Sequence, residues 1–441
     1  MKFKASFLYA KSLIFPKTEK KSSARRSFLG AIFCIGLSLI PLIVVINVTD
    51  GMIDGMTQRL IGLSSGHIQA YISPYYKNVQ TEQGFELLSQ EVSEIPGIVS
   101  CYPEIDLTSL VTVNDYKTGA QVRAVPKDIF STNQDFCNLI EFVQGSAKDF
   151  SKGKNAIIGE QLSKVLGVGV GDTIKIITTK KIAQKIVPKL TSFTVCGIVS
   201  SGYQELDALW VFVTLEDAYK NLPILYKNQN KIESNANFVL CINTNDAFSP
   251  QLSEIQNDVD VFFQDYANVY RWNQVHRSKF ENFASTKVML VFIMILIVLV
   301  ASINISSAII MIIMERQKEI GILKSIGASS SGISVSFLIT GAACSVGGLL
   351  LGVPIGILIS KFFNELIILL EKIINFFTTI FSKEQIELLN PEHYIQNVEI
   401  SISVGSVVLV CVGTVLLSIL VSLIPSVKAG KEKPLDILRK N

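Results

Sequence analysis

Four blocks of this 441-residue chain are long and apolar enough to be transmembrane helices: Phe28 to Val48, Val288 to Ile313, Ile333 to Ile359 and Ile400 to Ile424. A helix needs about twenty apolar residues to cross the hydrocarbon core, and each block meets that length. The second is interrupted only by Ser302, Asn304, Ser306 and Ser307. A mean hydropathy of +0.41 with 17% charged residues also excludes an ordinary soluble protein.

Basic residues orient these spans. Lys2, Lys4, Lys11, Lys17, Lys20, Lys21, Arg25 and Arg26 precede the first against a lone Glu19, and Lys428, Lys431, Lys433, Arg439 and Lys440 follow the fourth. The positive-inside rule puts both termini in the cytoplasm. The expected organisation is an amphipathic elbow over 1–27, spans over 28–48, 288–313, 333–359 and 400–424, and a large outer domain over 49–287. A cytoplasmic connector occupies 314–332, an outer loop with an amphipathic helix 360–399, and a cytoplasmic tail 425–441. No small-residue cleavage site follows the first block, so it is read as a span and not a signal peptide. Gly348, Gly352 and Gly356 line one face of the third span and suit close helix packing, within the subunit or across a dimer.

The outer domain reads as α/β. Thr173 to Thr179, Ser192 to Val199 and Leu209 to Thr214 are short runs rich in β-branched residues, whereas Gly159 to Leu166 and Leu215 to Asn221 have helical composition. Its length suffices for a core of its own, in one lobe or two. Between the first two strands, KKIAQKIVPKLT (Lys180 to Thr191) is basic, contains Pro188, and is expected as a loop or extended hairpin.

Catalytic chemistry has little support. His67, His276 and His393 are scattered, without a metal-binding motif or a nucleophile partner. In the run Gly167, Gly169, Gly171, Asp172, Thr173, an aspartate stands where a phosphate loop needs lysine, so the glycines are read as a turn. Cys101, Cys137, Cys196 and Cys241 of the outer domain show no paired spacing and are read as mostly free, buried thiols, and Cys34, Cys344 and Cys411 in the spans as small apolar packing residues.

The connector Met314 to Ser330, MERQKEIGILKSIGASS, carries the functional signal. Ile320, Leu323 and Ile326 fall on one helical stripe, with Glu315, Lys318, Glu319 and Ser325 elsewhere. Gly327 suits a helix C-terminus and Ser329 or Ser330 an N-cap. Periodicity leaves open whether such a helix rests on lipid headgroups or docks on a protein.

Glu315, Arg316, Glu319, Ile320, Gly321, Leu323, Lys324, Gly327, Ala328 and Ser329 form the pattern ERxxEIGxLKxxGAS. It resembles the coupling segment in ABC transporter permeases of the lipoprotein-releasing LolC/LolE family, part of the MacB/FtsX-type superfamily. Ile157 to Ile176, Phe193 to Ala218 with its SGYQELD, and Leu389 to Ser401 resemble the lipoprotein-releasing branch in particular. The resemblance implies a non-catalytic subunit of the bacterial inner membrane with four transmembrane helices and an α/β domain between the first and second. It binds no cofactor, since ATP and Mg are used by a separate ATPase dimer of the LolD type. The other implied partners are a second permease copy or related permease, lipoproteins, membrane lipid and a LolA-like periplasmic carrier, with no nucleic acid.

Two rival functions share this architecture. A MacB-like exporter typically carries its ATPase on the same chain, and an FtsX-like scaffold controlling a cell-wall hydrolase usually has a much smaller outer domain. Lipoprotein extraction is therefore the leading expectation, with an apolar cavity between the first two spans. Val44, Val45, Met289, Phe292 and Met294 are its candidate lining, where each buried acyl methylene contributes about 0.8 kcal/mol. In LolC-type permeases the Lys180 to Thr191 connection corresponds to a hook that grips the carrier. Here it is shorter and SGYQELD resembles the LolE side, so carrier contact through Ile182, Ile186 and Leu190 stands second to a solvated hairpin.

Overall fold

A computed structural model describes residues 7–10, 12, 23–114, 116–182, 185–228, 231–381 and 402–431. Leu389 to Ser401, singled out above, therefore lies outside the described residues. Among the described residues the chain divides into two compact units: those up to Ile53, 282–381 and 402–431 form one, and Asp54–Glu281 the other.

The first unit is helical. Four long helices supply it, Ser23–Leu60, Arg277–Glu315, Ser330–Lys361 and Val404–Lys431, each with a stretch apolar enough to cross a membrane; residues 54–60 of the first and 277–281 of the second belong to the second unit. The first two overrun their apolar blocks, because Thr49 to Leu60 and Arg277 to Lys287 are polar but still helical. Glycines bring the first and third helices together: a Cβ on Gly348 would lie 2.6 Å from Ile35 Cγ2, and one on Gly352 2.7 Å from the Gly36 carbonyl oxygen. The small-residue face of the third helix is thus used within the subunit. Polar ties join the same bundle. Asn47 donates to Ser360 Oγ at 3.2 Å, Asp50 accepts from Ser406 Oγ at 3.0 Å, and Lys287 Nζ lies 2.7 Å from Asp50 Oδ1. Residues 47 and 50 on the first helix therefore contact each of the other three. The described part of the N-terminal elbow packs Tyr9 edge-on against Phe337, with centroids 6.5 Å apart, while Phe7 and Leu8 remain exposed. After Phe362 the chain enters a further helix, Phe363–Phe381.

The second unit is built on a twisted mixed sheet. In chain order its strands are β1 Ile68–Ile72, β2 Ile98–Val113, β3 Tyr116–Val125, β4 Glu141–Gly145, β5 Asn155–Gly159, β6 Thr173–Ile182, β7 Lys185–Ser200 and β8 Trp210–Thr214. A small hairpin, β9 Leu225–Asn228 with β10 Lys231–Ser234, precedes β11 Asn237–Thr244 and β12 Ala267–Arg271. The spatial order is β12-β1-β11-β2-β3-β8-β5-β7-β4, with β6 pairing both β2 and β7. The first and last strands are neighbours: β1 runs antiparallel to β12 with Ile68 opposite Arg271 and Ile72 opposite Ala267. Amphipathic helices Glu82–Ser93 and Leu252–Phe263 turn Phe85, Leu88 and Val92, and Val259 and Phe263, toward the sheet. Residues from strands as far apart in the chain as β1 and β12 share one apolar core.

The glycine run behaves as a turn. Gly167 ends helix Glu160–Leu166 at φ +65°, and the Asp172 carboxylate accepts from Gly169 N at 2.7 Å. That carboxylate folds the loop on itself. All seven cysteines are free, although Cys34 and Cys137 are exposed and not packed away.

Candidate functional site

The connector folds as a short helix with defined ends. Arg316 leaves helical geometry after the second long helix, and Gln317–Ser325 then forms a separate helix. Gly327 terminates it at φ +98°, with Ala328 N bonded to Leu323 O at 2.9 Å and Gly327 N to Lys324 O at 3.0 Å. This paired arrangement is a Schellman stop, which requires a left-handed residue and explains the glycine. Ser329 Oγ accepts from Gly332 N at 3.3 Å and opens the third long helix. The two turns between long helices are thus capped on both sides.

The expected apolar stripe divides. Ile320 is fully buried with Ile312, Ile313 and Ile333 in the helical core, Gly321 is buried beside it and Leu323 is half-buried, while Ile326 is 80% exposed. A second apolar residue, Ile322, is 55% exposed one turn before Ile326. The outward face is therefore Ile322 and Ile326, whereas Ile320 fastens the helix to its own subunit. Lys324 also turns inward, donating to Gly430 O at 2.7 Å at the end of the fourth long helix, and Arg316 pairs with Glu319. Ala328 is half-buried against the same core, and Glu315 closes the second long helix. Sequence periodicity ranked Ile326 with Ile320 because nine residues cannot show which side faces the chain's own spans.

The five cavity candidates are not equivalent. Val45, Met289 and Phe292 are exposed on the first and second long helices, and Val44 is half-buried. Met294 is 7% exposed and belongs to the helical core with Val298 and Leu42, so it packs within this subunit.

The Lys180 to Thr191 connection is a hairpin whose pairing continues to Ile182 opposite Lys185. Pro188 faces Thr179 across this ladder, where its missing N–H is tolerated because β7 lacks a second neighbour at that height. Leu190 is 57% exposed and lies opposite Ile177. Ile182 and Ile186 occupy paired strand positions, but their side chains lie outside the described residues.

A buried ionic group was not anticipated from sequence. Arg123 on β3 donates from Nε to Glu104 Oε1 at 2.6 Å and from Nη2 to Oε2 at 2.7 Å, while its Nη1 reaches Leu63 O at 2.5 Å. Leu63 lies in the π-helical turn Ile61–Ser65 that ends the first long helix. The guanidinium also stacks 4.7 Å from the Trp210 ring centroid. Burial opposes its charge, but the Glu104 carboxylate more than compensates and holds it protonated. An arginine inside the otherwise apolar run Val122 to Val125 was the available signal. Among the described residues no group of His, Cys, Asp or Glu is arranged to hold a metal.

The MacB-like periplasmic core domain matches residues 27–252, and the FtsX-like permease C-terminal region matches residues 291–434. The lipoprotein-releasing system transmembrane protein LolC of Neisseria meningitidis is 25% identical over 431 residues, covering 95% of this chain and 96% of that protein. LolE of Haemophilus influenzae is 22% identical over 410 residues, with 92% of each chain covered. Among solved structures, the periplasmic region of MacB from Actinobacillus actinomycetemcomitans aligns with 51% of this chain and 95% of its own at 12% identity and a TM-score of 0.31.

Proposed function

The chain belongs to the MacB/FtsX-type ABC permeases, in their lipoprotein-releasing LolC/LolE branch, and we propose that it is the membrane subunit that extracts lipoproteins from the outer leaflet of the inner membrane. The observation that carries this reading is a likeness to lipoprotein-releasing proteins that runs through the outer domain and the spans alike. Both termini and the 314–332 connector are cytoplasmic in this reading, and the outer domain is periplasmic. A separate ATPase dimer of the LolD type docks on the connector helix through Ile322 and Ile326, which present apolar surface beside Lys318 and Glu319. ATP-driven closure of that dimer moves the connector, and with it the second and third long helices that the connector joins.

The cargo site lies between the first and second spans of this subunit and a second permease. Val45, Met289 and Phe292 offer exposed apolar surface there for acyl chains. Narrowing of the cavity drives the lipid upward to the outer domain and a LolA-like carrier. Photo-crosslinkers at Val45, Met289 and Phe292 test this in cells. They are expected to capture a lipidated protein and to leave its unacylated form; equal capture of both forms would remove acyl recognition.

A further inference from the structure

The SGYQELD segment has a role that its family resemblance does not supply. Residues Ser201–Asp207 form a loop and one helical turn between β7 and β8. Asp207 is 4% exposed and accepts from Ser200 Oγ at 3.2 Å and from Ser201 N at 2.9 Å, which closes the loop on itself. A Cβ on Gly159 would fall 2.1 Å from the Asp207 carbonyl oxygen, so the absence of a side chain there lets the loop seat against the end of β5. The base of the loop is therefore rigidly part of the sheet.

From that base it reaches both long helices. Arg59, in the last turn of Ser23–Leu60, donates from Nε to Ser201 O at 2.7 Å and from Nη1 to Gly55 O at 3.3 Å in its own helix. Gly202, at φ +67°, leaves room for the guanidinium, since a Cβ there would lie 3.1 Å from Arg59 Nη2. Lys279, in the first turn of Arg277–Glu315, lies 3.1 Å from Glu205 Oε1 and 5.6 Å from the Tyr203 ring centroid, and Tyr203 donates its hydroxyl to Glu205. One seven-residue loop thus holds the last turn of one long helix and the first turn of another.

We propose that Ser201–Asp207 is a strap that fixes the outer ends of the first and second long helices to the sheet, with Arg59, Glu205 and Lys279 as positioning residues that turn helix movement into outer-domain movement. The proposal rests on the transporter reading above. A rigid strap makes the two helix ends and the sheet move as one body. Cut on one side, it lets the helices respond to ATP while the sheet stays behind. Charge attraction and the aromatic face both favour a cation at 279, so arginine should serve there and alanine should not.

The test uses the full chain with its ATPase and permease partners in lipid nanodiscs. Spin labels at Ser278 and Val165 read the distance from the second helix to the helix beside the strap. A triacylated, epitope-tagged model lipoprotein reports release to a carrier. Wild type is expected to give one narrow distance with and without vanadate-trapped nucleotide. In Lys279→Ala and Glu205→Gln that distance should broaden on trapping and release should fall about tenfold, with ATP hydrolysis retained. Lys279→Arg should restore both. A narrow distance in the alanine variant, or variants that release normally, would overturn the strap. A wild type that shows the distance behaviour without releasing lipoprotein would leave the strap standing and remove the cargo assignment.

Discussion

Replacing Arg123 with methionine probes the joint between the first long helix and the sheet. The substitution keeps the aliphatic stem but removes two charge-assisted bonds to Glu104, the bond to Leu63 O, and the guanidinium stacked on Trp210. Glu104 is 3% exposed, so its carboxylate would be left without its bidentate partner in a site that water does not reach. Breaking a buried pair on one side costs about 3–5 kcal/mol. Taken with the roughly 2–4 °C per kcal/mol expected of a unit this size, that lowers the melting temperature by about 6–20 °C. Both tryptophans, Trp210 and Trp272, lie in the outer unit, so tryptophan fluorescence of the full chain in detergent follows this unit selectively. The partner variant matters more than the single. Because the cost comes from the orphaned charge, Arg123→Met with Glu104→Met should recover at least about 2 kcal/mol of the loss. A single variant costing under about 1 kcal/mol, or a double variant as unstable as the sum of the singles, would refute the argument that the pair acts as a unit.

Two further outcomes are expected. Gly352→Val places a side chain where even a Cβ meets the Gly36 carbonyl oxygen at 2.7 Å, so the folded yield in membranes should fall sharply while Gly405→Val, with open space around its Cβ, leaves it unchanged; equal yields would contradict the helix contact. Burial, helped by Lys279 and Arg123, pushes His276 down to about 4, so the unfolded chain takes the proton first: its contribution is full above about pH 6.5 and is lost as pH falls toward 4, at most about 3 kcal/mol. Burial and Glu104 push Asp106 up to about 6, which favours the fold at low pH and masks this in wild type, so the measurement is the stability difference between wild type and His276→Gln. A difference independent of pH from 4 to 7 would contradict a neutral buried imidazole.

Apolar length and turn chemistry were legible in the chain, and long-range pairing was not. Gly327 and Ser329 do at the connector what their residue types suggest, because a left-handed stop and a serine cap are local requirements. The hairpin through Lys180 to Thr191 was likewise within reach of strand composition. The helical course of Thr49 to Leu60 was not, since hydropathy stops where polar residues begin and helix formation does not. Met294 and Ile320 turn out to pack within their own subunit for a shared reason: a helical wheel gives the faces of a segment without saying which one its own subunit covers. Arg123 and Glu104 lie nineteen positions apart on paired strands, and only the register of β2 with β3 brings them together. The Ser201–Asp207 loop joins residues 59 and 279, a connection that depends on tertiary folding throughout the domain.

The antiparallel pairing of β1 with β12 means that the outer domain begins and ends on adjacent strands. A polypeptide enters and leaves it through one doorway, about 5 Å wide in the hydrogen-bonding direction. Such a module can be enlarged, trimmed or exchanged during evolution without altering the separation at which its two flanking segments emerge. The flanking helices can then stay constant while the domain inserted between them diversifies, as a tool holder accepts different bits.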